Sequence, residues 1–507
     1  MATLDGTSGN DIINGTSGDD LITGFEGNDT IDGGAGTDTV VLTGSAGNLQ
    51  PGYRVSYANG VWTVEDVDGT DGTDGTDTLR NVEKLHFAGD GKDITLNLLG
   101  RGEFRVNTTT LNDQANPRIA QLTTGEIVVA WNSDGQDGSS GGIYAQRFDA
   151  AGVAIGNEFH VSTQTADQQS LATVAALKGT NAGGFVATWQ SLNQDGSSWG
   201  VYGQIYDASG NPAGSEFRIN NTTSDQQAGV SVTGLADGGF IATWHSYGQD
   251  GSSWGVYGQR YDAAGGLVGT EFRVNTTTSA EQSGPKIVQL TGGDIVVVWN
   301  SDQDGSSYGI YAQRYNSAGV AQGTEFRINS YTADSQQTPT IAVLADGGFV
   351  VAWQSLSQDG SDWGIYGQRY DAGGAAVGAE FRANSFTSWS QQTPSVTGLT
   401  GGGFVVTWQS TRQEAWDDWA VYGQLYDASG NRVGGEFRLN TYSNRYQSEV
   451  SVVALADGGF IATWQSSDGQ DGSGYGIYAQ RYNADGTPWL PQATGTSGAD
   501  TFNFAGG

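Results

Sequence analysis

Aspartate recurs at every ninth residue near the start of the chain, each time closing a glycine-rich turn. Gly6, Gly9 and Asp11 open the series. Gly15, Gly18 and Asp20, then Gly24, Gly27 and Asp29, then Gly33, Gly36 and Asp38 repeat it, and Asp500 stands in a further copy at 495–503. Turns of this kind expose backbone carbonyls, and a carboxylate at one fixed corner adds charged oxygen. Stacked copies would therefore offer oxygen-only sites, the donor set that Ca2+ prefers. Ile13, Ile22, Ile31 and Val40 follow each aspartate by two residues, where a short strand would bury them. Affinities of about 10⁻⁴ to 10⁻³ M are expected, weak enough to fill only outside the cell. Without the ion the stacked carboxylates repel, and the coils should lose their order.

A second set of chemistry-bearing residues recurs at a longer period. An aromatic stands at Trp199, Trp254, Tyr308, Trp363, Trp419 and Tyr475, with Gly141 in the first copy. Aspartates sit in the same loops at Asp137, Asp195, Asp250, Asp304, Asp359 and Asp471. Flat rings cover the apolar C–H faces of sugars while short polar groups bond their hydroxyls, so each loop is a candidate carbohydrate contact. An aromatic after a tight turn also wedges neighbouring units together, with the Asp capping the turn, and both readings fit. Paired acids in three loops (Asp134 with Asp137, Asp302 with Asp304, Asp468 with Asp471) are a further place for an ion. One copy breaks the pattern. It reads Arg412, Gln413, Glu414, Ala415, Trp416, Asp417, Asp418, Trp419, and the adjoining loop adds Trp389. A special site and simple repeat decay account for these residues equally.

These residues need elements to hold them. Trp131, Trp189, Trp244, Trp299, Trp353, Trp408 and Trp464 close the same strand in seven copies spaced 54 to 58 residues apart. Each copy reads as four short strands, in the third at 230–235, 240–245, 256–262 and 271–275, separated by Gly- and Asp-rich turns. Strands this short cannot bury a core alone, so the units must pack on one another, and seven four-stranded units close into a propeller. The array opens at 103–107 with a lone fourth strand and ends at 477–483 with a third strand lacking its partner. The first strand thus completes the last blade and leaves no long open edge. The predicted fold is all-β: a seven-bladed β-propeller with strand-swap closure at 101–488, flanked by a parallel β-roll at 1–41, a β-rich segment at 42–100 and the start of another nonapeptide at 489–507. The loops rich in Asp, Ser and Trp fall on one face, and the tight turns of the other face look structural.

Composition sets the outer bounds. With 22 basic and 55 acidic residues the net charge is −33, which repels phosphate backbones and anionic membranes. Nucleic-acid binding is not expected, nor is membrane insertion, since no apolar stretch is long enough to span a bilayer. Cysteine is absent, so disulfides and thiolate metal sites are excluded. His86, His160 and His245 fall at unrelated repeat positions, which argues against a His-based triad or zinc site. The first residues carry no cleavable secretory signal, and 502–507 stop inside a repeating pattern, as in a piece of something longer.

The nonapeptides resemble the calcium-binding repeat of secreted repeats-in-toxin proteins, in which Gly-Gly-x-Gly-x-Asp-x-apolar-x winds a parallel β-roll. The resemblance covers about a quarter of the chain, at both ends. It implies Ca2+ as cofactor, a secreted or cell-surface location, and a one-step type I export route. The Asp-Gly-Ser-Ser-Trp turns are loosely similar to the Asp-box of sialidases, a residue shorter between Asp and Trp. Nearly every polar residue of the propeller has rotated copies, whereas catalysis needs a unique constellation, so a non-enzyme is expected. The leading reading is an extracellular, calcium-dependent carbohydrate-binding or adhesive module that engages glycans or a cell-surface polysaccharide. The alternatives are an architectural spacer and a polysaccharide-degrading enzyme at blade six, using Glu414 with Asp417 or Asp418.

Overall fold

The 507-residue chain is described by a computed structural model. It divides into two compact units, residues 1–104 with 489–507, and residues 105–488. The described residues are 2–34, 37–43, 53–58, 61–66, 74–82, 84–89, 92–95, 103–149, 154–303, 305–413, 419–442, 446–467, 470 and 472–489.

In the first unit each nonapeptide gives one turn and one short strand. Successive strands alternate between two sheets, so parallel partners lie two repeats apart: Ala2 pairs with Asp20 and Ile12 with Thr30. That register makes a parallel roll with one coil per pair of nonapeptides. The strands Thr76–Arg80 and Lys84–Phe87 extend the same two sheets, in parallel with Thr30–Asp32 and Thr39–Leu42. An antiparallel hairpin, Tyr53–Ala58 with Val61–Asp66, is inserted between them. Ile22, Ile31, Val40, Trp62, Leu79, Leu85 and Phe87 form one buried core, so the nonapeptides and the segment after them are welded together by shared apolar burial.

The second unit is the propeller. Seven antiparallel four-stranded sheets follow one another, six of them ordered as in the chain from inner to outer strand. In the third blade these are Gln227–Gly234, Phe240–Tyr247, Trp254–Tyr261 and Leu267–Arg273. The outer strand begins earlier than the Gly-rich sequence suggested, because a bulge between Gly258 and Arg260 lets Val268 and Leu267 rejoin the ladder beyond it. Inner strands pack side by side around the ring, and that of blade seven (Gln447–Ala454) meets that of blade one (Gln114–Gln121). Phe104–Arg105 pairs as the outer strand of the sheet that ends in Tyr475–Tyr482, which is the predicted clasp. Val106 N donates to Ile477 O at 2.7 Å, and Ile477 N donates to Asn107 Oδ1 at 2.6 Å.

The seven register tryptophans are fully buried, and none of their indole N–H groups has a hydrogen-bond partner among the described residues. Ring burial outweighs that cost, since each indole packs between blades with its neighbours' aliphatic strands. The Phe-Arg-x-Asn segment is a joint rather than a surface. Phe217 tilts onto Tyr261 of the next blade, whose hydroxyl donates to Ile219 O at 3.4 Å. Asn220 is 1% exposed; it donates to Thr222 O and Gln227 Oε1 and accepts Val201 N at 2.7 Å. One buried amide thus ties the outer strand, the third strand and the next inner strand together. Repeated at Asn275, Asn329, Asn384 and Asn440, it explains why the motif recurs.

Candidate functional site

In the roll, the aspartates form a ladder. Asp29 Oδ1 accepts Asp11 N, Asp38 Oδ1 accepts Asp20 N, each at 2.8 Å and each from the coil below. The second carboxylate oxygen differs between coils. In the first two, Thr7 and Thr16 donate both N–H and hydroxyl to their own Asp11 and Asp20. The third turn has Phe25 at φ +65° in place of that threonine, and Asp29 Oδ2 is buried with no hydrogen-bond partner among the described residues. Burial raises the Asp29 pKa above the usual carboxylate range. Glycine is obligatory beside these carboxylates: a Cβ on Gly24 would lie 2.1 Å from Asp29 Oδ2, and one on Gly15 would lie 1.9 Å from Gly33 O. Buried carboxylate oxygen and close carbonyls fit a hard cation, and Ca2+ is the ion this donor chemistry suits.

The ladder also contains a member that the nine-residue count overlooked. Asp77 Oδ1 accepts Asp29 N at 2.9 Å, as Asp38 does for Asp20. Residues 72–80, Gly-Thr-Asp-Gly-Thr-Asp-Thr-Leu-Arg, keep the Gly-x-x-Gly-x-Asp-x-apolar spacing, displaced by the hairpin insertion. Asp77 is 2% exposed, and burial pushes its carboxyl up from about 3.8 to about 7. Gly36 and Asp500 lie outside the described residues.

In the propeller loops the aspartates turn inward. Asp137, Asp195, Asp250 and Asp359 each accept the amide of the serine two residues on, at 2.9 to 3.2 Å. Their other oxygens fold back over Gly142, Gly200, Gly255 and Gly364, where a Cβ would come within 2.7 to 2.8 Å. The glutamine before the aspartate is engaged too. Gln194 Nε2 donates to Glu216 Oε1 at 2.5 Å, while Glu216 Oε2 accepts Thr163 N and Oγ1 from the preceding blade. Glu271, Glu325, Glu380 and Glu436 repeat this staple. Trp199, Trp254, Tyr308, Trp363, Trp419 and Tyr475 are half-buried at the start of the third strands. Trp254 is wedged between His245 and Tyr247 at centroid distances of 4.7 and 5.2 Å. Asp304, Trp416 and Asp471 lie outside the described residues, as do Glu414, Asp417 and Asp418.

Blade six carries a different surface. Trp389 is 47% exposed, and the Arg412 guanidinium carbon sits 4.5 Å from its ring centroid. Both residues have left-handed backbone, at φ +62° and +55°. The equivalent positions carry Asp167, Asp225 and Asp334 in one loop, and Asn193 and Ser357 in the other. Short polar residues tolerate that conformation; tryptophan and arginine hold it at a cost of about 1–3 kcal/mol each.

Residues 5–40 match the sequence model of the RTX calcium-binding nonapeptide repeat, in four copies. The roll is an RTX roll. No curated protein sequence matches the chain. Among solved structures, polysaccharide lyase Uly1 is similar at 10% identity, covering 75% of this chain and 91% of its own, with a TM-score of 0.46. NanB sialidase from Streptococcus pneumoniae has 9% identity, coverage of 84% and 82%, and a TM-score of 0.44. An alpha-L-arabinofuranosidase from Fusarium graminearum has 11% identity, coverage of 65% and 98%, and a TM-score of 0.44. Carbohydrate-active enzymes thus stand among the similar propellers, and on that finding the expectation that this chain is not an enzyme is withdrawn. Rotated copies do not preclude a unique constellation, because blade six departs from the other blades. Likeness at this level does not extend to what the chain binds or cleaves.

Proposed function

We propose that this protein is an exported, calcium-stabilised polysaccharide-active protein that engages sugar on the loop face of its propeller at blade six. The observation that carries the reading is the Trp389–Arg412 pair: an exposed ring backed by a guanidinium, both in strained backbone, in the one copy that abandons the repeat. An exposed indole covers apolar sugar faces, and a cation beside it bonds hydroxyl or carboxylate oxygen. Glu414, Asp417 and Asp418 follow in the sequence and supply carboxylates of the type that glycosidic cleavage requires. The RTX coils supply the second half of the reading. They hold Ca2+ through Asp29, Asp38 and Asp77 with neighbouring carbonyls, and they order where calcium is abundant, outside the cell. RTX repeats are typical of secreted proteins, which supports that location.

The test is incubation of the full chain with a panel of bacterial and algal polysaccharides in calcium, measuring retention and release of new chain ends. Retention and release are both expected, with release abolished in Glu414→Gln/Asp418→Asn and retention weakened in Trp389→Ala. Retention without release would leave a binding module, and neither would sink the proposal.

A further inference from the structure

The seven inner strands are poor in charge. In a chain with 55 acidic residues they carry one, Glu449, against two cations, Arg118 and Lys286. Arg118 and Lys286 occupy the same position, the fifth of their strands. The other five blades place Thr173, Ser231, Thr340, Ser395 and Ser451 there. Architecture is content with the hydroxyl: Ser231 Oγ accepts Ile287 N and Ser395 Oγ accepts Val452 N, each at 3.3 Å, stitching one inner strand to the next. The two long cations therefore answer no need of the ring.

Blades one and four stand on opposite sides of the ring, yet Arg118 acts electrostatically on Lys286, as does Glu449 of blade seven. Arg118 and Lys286, four residues in from the loop face, and Glu449, two residues in, therefore converge on the axis that the inner strands surround. Solvent meets Arg118 and Glu449 there, which keep 29% and 27% of their side chains exposed. Arg118 Nη2 approaches Glu449 Oε2 at 3.5 Å, a loose contact, and its Nη1 donates to Pro117 O at 2.8 Å. Lys286 has no hydrogen bond or ion pair among the described residues. Burial, then the Arg118 charge, push its ammonium down to about 8. His245, the other titratable group facing it, is lowered by burial to about 4 and accepts Gly284 N at Nδ1, so it stays neutral. Two cations facing one carboxylate in an enclosed channel leave an excess positive charge, which costs free energy unless an anion joins them.

We infer that the axial channel binds an oxyanion between Arg118 and Lys286, of the kind an acidic sugar carries as a carboxylate or sulfate. The site is distinct from the Trp389–Arg412 surface and does not rest on it. An anion completes the charge balance and gives Lys286 the partner that its own strand neighbours do not supply.

Calorimetric titration of the full chain in calcium, with sodium glucuronate, sodium sulfate and glucose, tests this. Glucuronate or sulfate should bind and glucose should not. Tighter binding of glucuronate identifies a sugar acid, whereas equal binding of sulfate identifies a general oxyanion site. Lys286→Met should weaken anion binding about tenfold or more, and Glu449→Gln, which removes the competing carboxylate, should strengthen it severalfold. Anions held only by the roll's calcium would bind both variants as they bind the parent, and that result overturns the inference. So does the absence of binding by either anion in variants and parent that melt alike.

Discussion

Asp29 and Asp77 show how one residue type performs two tasks along a single ladder. Each offers one oxygen to a backbone amide, and Asp29 keeps its other oxygen without a hydrogen-bond partner among the described residues. Asp77 has the sharper consequence: its folded pKa, near 7, lies above the ordinary value of about 3.8. The metal-free roll is therefore favoured by protonation. That stability is fully present below about pH 4 and is lost as pH rises through about 7. Melting of the calcium-free chain should fall across that window, and Asp77→Asn should flatten the dependence. Calcium affinity should move the opposite way, rising toward pH 7 as the proton leaves. The coil containing Asp77 was written in the sequence as plainly as the others. An inserted hairpin displaced it, so counting nines from Gly6 could not reach it. Trp389 belongs at this scale too: Trp389→Ala should weaken polysaccharide retention by about tenfold, roughly 1.4 kcal/mol, and leave the melting temperature unchanged, since alanine keeps the Cβ that strains the left-handed backbone.

The strand is the scale at which the sequence was least legible. Every inner strand contains one residue with left-handed backbone: Asn116, Leu171, Gly229, Gly284, Thr338, Thr393 and Glu449, at φ from +50° to +63°. Their identities share nothing, so no pattern advertises the bulge they create. What recurs in six of the seven blades is the partner. The residue after the register tryptophan reaches from the preceding blade and accepts the bulge amide: Gln190 for Gly229, His245 for Gly284, Asn300 for Thr338, Gln354 for Thr393, Gln409 for Glu449 and Gln465 for Asn116. Tryptophan and its successor thus serve opposite purposes, one filling the blade and one gripping the next. Gln354→Ala should orphan the Thr393 amide and cost about 1–3 kcal/mol in chemical denaturation. Trp353→Ala should cost about 3–5 kcal/mol through the cavity it leaves. The tryptophan period could be read directly because burial fixes its chemistry. The loop glutamine and aspartate, whose inward roles depend on Glu216 and its counterparts, could equally have been surface groups.

At the scale of the molecule, closure depends on one short segment. Phe104–Arg105 and Asn107 make across 370 residues the contacts that every other blade makes within its own sequence. Asn107→Ala and Asn329→Ala remove the same chemistry, yet the first should weaken the closure of the ring and the second only loosen a blade. Amide hydrogen exchange should therefore rise throughout Tyr475–Tyr482 in Asn107→Ala and stay local in Asn329→Ala.

That clasp also fixes the order of events in the life of the chain. Until Tyr475–Tyr482 has left the ribosome, Phe104–Arg105 has nothing to pair with, and the seventh sheet is the last to be finished. A nascent or shortened chain exposes a bare ladder in need of a stranger's strand, so it either exchanges arms with a second copy or waits, unlocked, until its own strand arrives.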